Sequence, residues 1–194
     1  MGKFFESLNR VLVAGLVLAV VAFLILHLSG FNGDVYLKFI LRAIHVWFGI
    51  LWIGLLYYFN FVQIPSMPKI PDEQKPAVGK VIAPAALFYF RWAAAFTMLL
   101  GLILAGVNGY LSQALVFQSG FETIGLGMWL GLIMGANVWG VIWPNQKKAL
   151  GIVQVDGDAK KAAARIAMIA SRVNTMLSIP MLYCMVGQTH AITG

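Results

Sequence analysis

Apolar residues fall in five blocks along the chain, at about 11–30, 36–61, 83–107, 123–143 and 168–189. Each block is close to the ~20 residues that an α-helix needs to cross the hydrocarbon core of a bilayer. Polar and charged positions collect between the blocks, which predicts five transmembrane helices. The first block is too long, and too well followed by further spans, to read as a cleaved leader. Residues 1–194 are therefore expected to form a single all-α integral membrane domain, a five-helix bundle.

Two connections are expected on the cytoplasmic side. Residues 64–82 contain Pro65, Pro68, Pro71 and Pro76, a spacing that predicts an extended loop. Residues 147–166 open with Lys147-Lys148 and turn at Asp156-Gly157-Asp158. From Asp158, the expected cap, a run of Ala, Lys and Arg predicts a cytoplasmic extension of the fifth helix.

Composition agrees with this class: 60% of residues are hydrophobic and 11% charged. The net charge of +7 is distributed as a topology signal. Lys3 and Arg10, then Lys69, Lys75 and Lys80, then Lys147, Lys148, Lys160, Lys161 and Arg165 lie on alternate connections. By the positive-inside rule the N-terminus is cytoplasmic and the C-terminus periplasmic. The basic surplus suits anionic lipid headgroups, so the bilayer is the expected partner and nucleic acid is not. The single cysteine, Cys184, rules out an intrachain disulfide, a zinc knuckle and covalent c-type haem attachment.

The second block carries the most informative residues. At 100° per residue Arg42, His45, Gly49, Trp52 and Leu56 share one helix face. Ionisable side chains inside a membrane are expensive unless partnered, so by default they mark function. The plainer alternative is a His–Arg pair that only hydrogen-bonds to neighbouring helices.

The predicted topology puts His27, His45 and His190 in the outer half of the membrane. Two imidazoles from different helices are the usual axial ligands of a b-type haem in a bundle. His45 is the main candidate ligand and His190 the second, with His27 a weaker one; His27 and His190 can equally be interfacial. Gly49 would leave room for the macrocycle and Arg42 would meet a propionate. None of the seven acidic residues lies in a span, so Arg42 and Arg91 need another partner. Snorkelling, a lipid phosphate or the haem carboxylates would each serve.

In the fourth block Gly127, Gly131 and Gly135 predict a groove for packing within the bundle or for a homo-oligomer. Asn137 is expected to hydrogen-bond across helices to Asn174 or Ser178. Pro180 is expected to kink the fifth helix. The methionines are read as gap-filling, a copper site of Met, His and Cys184 being the lesser alternative.

Several clusters together resemble one family: Arg42-x-x-His45-x-x-x-Gly49-x-x-Trp52-Ile53-Gly54, Phe90-Arg91-Trp92 with Thr97 and Gly101, and Ala136-Asn137-Val138-Trp139. Ile142 to Lys147 and Ser171-Arg172-x-Asn174-Thr175 with Pro180 and Met185 extend the pattern. It is similar, over about 36–190, to the membrane domain of bacterial membrane-anchored urate oxidases, whose C-terminal half is a periplasmic cytochrome c. More loosely, the His45 helix resembles haem-binding membrane proteins related to protoporphyrinogen oxidase and copper-resistance proteins.

The resemblance implies a multi-pass protein of the bacterial inner membrane. The residues themselves, as read above, lead to the expectation of a b-type haem held by His45 and His190, with Arg42, Gly49, Trp52 and Arg91 around it. No Cys-x-x-Cys-His follows in this chain, so it is expected to act as a standalone version serving a separate periplasmic cytochrome c or a larger membrane complex. The function expected is electron transfer or an oxidoreductase reaction. The alternatives are an accessory subunit of a respiratory or oxidase complex without its own cofactor and, less favoured, a transporter.

Overall fold

The computed structural model describes residues 2–27, 30 and 32–188, with helices joined by turns and no strand among them. His190 and the side chain of His27 lie outside the described residues. Among the described residues, five helices are long and apolar enough to cross a membrane: α1 (Leu8–His27), α2 (Gly33–Lys69), α3 (Lys75–Val107), α5 (Glu122–Ala149) and α6 (Gly157–Gly187). A short helix, α4 (Leu111–Leu115), lies between α3 and α5.

The chain divides into two units, Met1–Phe39 and Ile40–Gly194. In the first, Phe23 and Tyr36 meet edge to face, with ring centroids 4.7 Å apart. Asp34 sits in the first turn of α2, where a negative charge suits the helix dipole, and pairs with Lys38 at 2.9 Å.

In the second unit the proline-rich segment corrects the expected loop. Only 70–74 break the helix, and 64–69 and 75–82 are helical. Three π-helical turns explain how: Tyr58–Gln63, Val78–Ile82 and Val138–Ile142. Two residues beyond each turn stands a proline, Pro65, Pro84 and Pro144 in order. A proline ring clashes with the carbonyl four residues back and cannot donate to it. Here those carbonyls belong to Phe61, Lys80 and Gly140, all inside the widened turns. The wider turn absorbs the clash and the helix continues.

The 147–166 connection is likewise shorter than expected. α5 runs to Ala149 and α6 begins at Gly157. Asp156, not Asp158, is the cap: its backbone is extended and its carboxylate accepts from the Ala159 amide at 2.8 Å. Asp158 is already in the first turn. α6 passes through Pro180 as one continuous helix.

Trp52, Leu56 and Phe59 of α2, Phe90, Ala93 and Ala94 of α3, Met134, Val138 and Ile142 of α5, and Met181 of α6 form the main core. Ala93 and Ala94 are the small residues that let α3 approach its neighbours. A second cluster, Ala105, Ala114, Ile124 and Met128, joins α3, α4 and α5 at the opposite end.

The glycine stripe of α5 is divided between partners. A Cβ on Gly127 would lie 3.0 Å from Cys184 Cβ of α6, and one on Gly135 would strike the Met98 side chain of α3. Gly131 has nothing within 4 Å of its Cβ position, so it alone of the three faces open space.

At Gly125 a Cβ would collide with the Ala114 carbonyl oxygen of α4. Because that obstacle is backbone, Gly125→Ala is expected to cost about 1–3 kcal/mol. Gly131→Ala should be neutral or slightly stabilising. Thermal unfolding in detergent checks the pair, and equal midpoints would refute the packing account.

Candidate functional site

His45 of α2 faces α3, and its Nδ1 lies 2.9 Å from the Thr97 carbonyl oxygen. A carbonyl only accepts, so Nδ1 carries the proton and donates. In the neutral ring Nε2 then holds a free lone pair.

Gly101 makes this bond possible. One turn beyond Thr97, a Cβ there would stand 2.9 Å from His45 Cε1. Any larger residue would occupy the ring's place. Thr97 turns its own hydroxyl back to the Ala93 carbonyl at 2.7 Å, and its methyl faces Gly49, whose Cβ position is 3.8 Å from Thr97 Cγ2. The imidazole is thus held in one tautomer and one orientation by α3 backbone.

The other expected site residues divide. Arg42, one turn before His45, is exposed. Burial pushes the Tyr110 hydroxyl's pKa up while the Arg42 charge pulls the other way, which puts Arg42 at the α3–α4 end of the unit. Gly49 meets Thr97 instead of lining an open space. Trp52 is core, 1% exposed, and its Nε1 is buried with no partner among the described residues. Arg91 stands apart from His45: its guanidinium lies over the Trp143 ring of α5, 3.9 Å from the centroid. The Trp139 indole N–H donates to the Arg91 carbonyl at 3.2 Å. No trio of His, Cys, Asp or Glu suited to a metal ion occurs among the described residues.

A polar ladder joins α5, α6 and α2. Asn137 Nδ2 donates to Asn174 Oδ1 at 2.8 Å and to the Ala170 carbonyl at 2.9 Å. Asn174 Nδ2 donates to the Met134 carbonyl at 2.9 Å. The expected Asn137–Asn174 contact is therefore present, and Ser178 pairs instead with the Tyr57 hydroxyl at 2.9 Å.

Asn60 was not anticipated; its Nδ2 donates to Ser171 Oγ at 2.8 Å. Its signal in the sequence is an amide at the end of an apolar block, three residues before Gln63. Beside it a cavity of about 160 Å³ opens between α2, α3, α5 and α6, with Phe59, Gln63, Phe90, Gln146 and Ser171 in its wall. Asn60 Oδ1 and Gln63 Oε1 are buried and unpartnered among the described residues. At ~1.5 Å per residue, Asn60 lies roughly 22 Å along α2 from His45, at the other end of the unit.

Residues 110–193 match the family model described as urate oxidase N-terminal. That match shows a urate oxidase N-terminal-like domain over α4, α5 and α6; the His45 helix precedes it. No curated protein and no solved structure matches the chain.

Proposed function

We propose that this chain, with its urate oxidase N-terminal-like domain at 110–193, is a multi-pass membrane redox protein in which His45 is an axial ligand of a b-type haem. One observation carries the reading: Nδ1–H donates to the Thr97 carbonyl, so Nε2 of the neutral ring is the unprotonated nitrogen. A metal-binding histidine normally has its other nitrogen fixed in this way, which sets the tautomer and raises the basicity of the ligand.

The donor chemistry of His45 therefore fits haem iron. Gly49 and Trp52 serve helix packing, so His45 and Arg42 are the residues that would hold the group, the imidazole at the iron and the guanidinium at a propionate. Haem would supply one-electron chemistry there. His190 would be the second residue to hold the iron. The protein's own contribution is to place a neutral imidazole with a single orientation in an apolar seam. In the proposed topology the basic ends of α2, α3, α5 and α6 face the cytoplasm of a bacterium and the His45 end faces the periplasm, where a cytochrome c would exchange electrons.

Optical spectra of the detergent-purified protein, oxidised and then dithionite-reduced, with a pyridine haemochrome assay, test this. A b-type signal near one haem per chain is the expected result. A well-folded, colourless protein would refute the cofactor and turn attention to an accessory role in a larger membrane complex.

A further inference from the structure

Arg91 and Lys147 reach the same indole from two helices. The Arg91 guanidinium carbon is 3.9 Å from the Trp143 centroid and 5.3 Å from that of Phe88, and Lys147 Nζ is 5.7 Å from the Trp143 centroid. Arg91, Trp143 and Lys147 are half-buried and Phe88 is exposed. The π turn Val138–Ile142 ends just before Trp143, and Pro144 follows it, so that widened turn is where Trp143 and Lys147 take their positions on α5.

Among the described residues these two cations have no anion. Among the described residues the ion pairs are Lys38–Asp34, Lys75–Asp72 and Lys161–Asp158, none of them here. The Arg91 guanidinium makes no hydrogen bond among the described residues either. The neighbouring amide of Asn145 is turned to the Val141 carbonyl at 2.8 Å. The Trp143 ring lies against the guanidinium, with Phe88 farther off, and the N–H groups remain as the functional edge. That edge forks to match the oxygens of a phosphate, and a lysine adds a point charge.

The position along the fold selects the source of the phosphate. Trp143 and Lys147 lie at the end of the bundle that also carries Lys69, Lys75, Lys80 and Lys148. Tryptophan is favoured at headgroup depth, and the negatively charged leaflet attracts basic ends.

We infer that Arg91, Trp143 and Lys147 form a binding site for the phosphate of an anionic phospholipid. The inference rests on the membrane reading above and is independent of haem. Each cation should contribute roughly fivefold to the preference for anionic lipid, the equivalent of ~1 kcal/mol per basic residue near a charged bilayer surface.

The test is native mass spectrometry of the detergent-purified full chain, offered phosphatidylglycerol and phosphatidylcholine of equal chain length. Alkaline carbonate washing of membranes is done first, and release of the chain at that step would refute the membrane reading itself. For a retained chain, selective carriage of phosphatidylglycerol is expected, falling towards parity in Arg91→Gln/Lys147→Gln. Lys161→Gln, whose lysine pairs with Asp158, should keep the preference. If the double variant does not fold, Lys147→Gln alone at the helix end gives the readout, with a loss of roughly fivefold. Unchanged preference in a folded variant overturns the site. Displacement of the lipid by millimolar inorganic phosphate overturns the lipid as its natural source.

Discussion

His45→Ala is expected to give a folded membrane protein that has lost its b-type haem. The substitution removes the one described imidazole whose Nδ1 is committed to a helix carbonyl and whose Nε2 is free. The structural loss is small by comparison, because one hydrogen bond between α2 and α3 is worth about 1 kcal/mol. Haem content per chain, measured by pyridine haemochrome, should fall close to zero while helical content stays.

Gly101→Val separates ligation from mere presence of the imidazole. It keeps His45 but places a side chain where the ring now lies 2.9 Å from the Cβ position, so the ring must leave the Thr97 carbonyl. Lower haem occupancy or a shifted Soret band is expected. His27→Ala should retain haem. Full haem content in His45→Ala would remove His45 from the site.

Asn174→Leu should be the most damaging substitution in the polar ladder. Asn174 is 0% exposed, donates to the Met134 carbonyl and accepts from Asn137. Leucine matches its size but ends both interactions, leaving an amide and a carbonyl underused in an apolar interior. A cost of about 2–3 kcal/mol is expected, since each interhelical bond in a membrane contributes ~0.6–1.7 and an orphaned group adds more. Asn137→Ala should cost less, because Asn174 keeps its bond to Met134. A double-mutant cycle should show a coupling of about 1 kcal/mol, read from unfolding in detergent or by steric trapping. Strict additivity would mean that the two amides act independently.

Much of the candidate site was legible for a physical reason. An arginine and a histidine in an apolar helix cannot be neutral in energy, so their position alone marked α2. Thr97 and Gly101 were singled out by resemblance, but their role was not: the partner of His45 is a backbone carbonyl, which every residue carries. Arg91 was assigned to the same cofactor because both arginines lacked acids. The structure places it over Trp143 of another helix, since side-chain direction on α3 depends on the packed face. The prolines misled in the opposite direction. Local rules make Pro65, Pro68 and Pro76 helix breakers, and the widened turn upstream of Pro65 removes the clash that would have ended the helix there.

The sequence by itself determined the number of long apolar helices, their approximate extent and the charge asymmetry of their ends, because transfer of backbone and side chains out of water depends on composition and length. It also determined which polar residues were costly enough to need partners. Only the tertiary structure decided who those partners are: a carbonyl for His45, an indole for Arg91, Asn137 for Asn174. The same holds for the glycines, since Gly127 and Gly135 are covered by two different helices while Gly131 is open. These choices follow from which helix faces meet, a long-range result of close packing that no local pattern encodes.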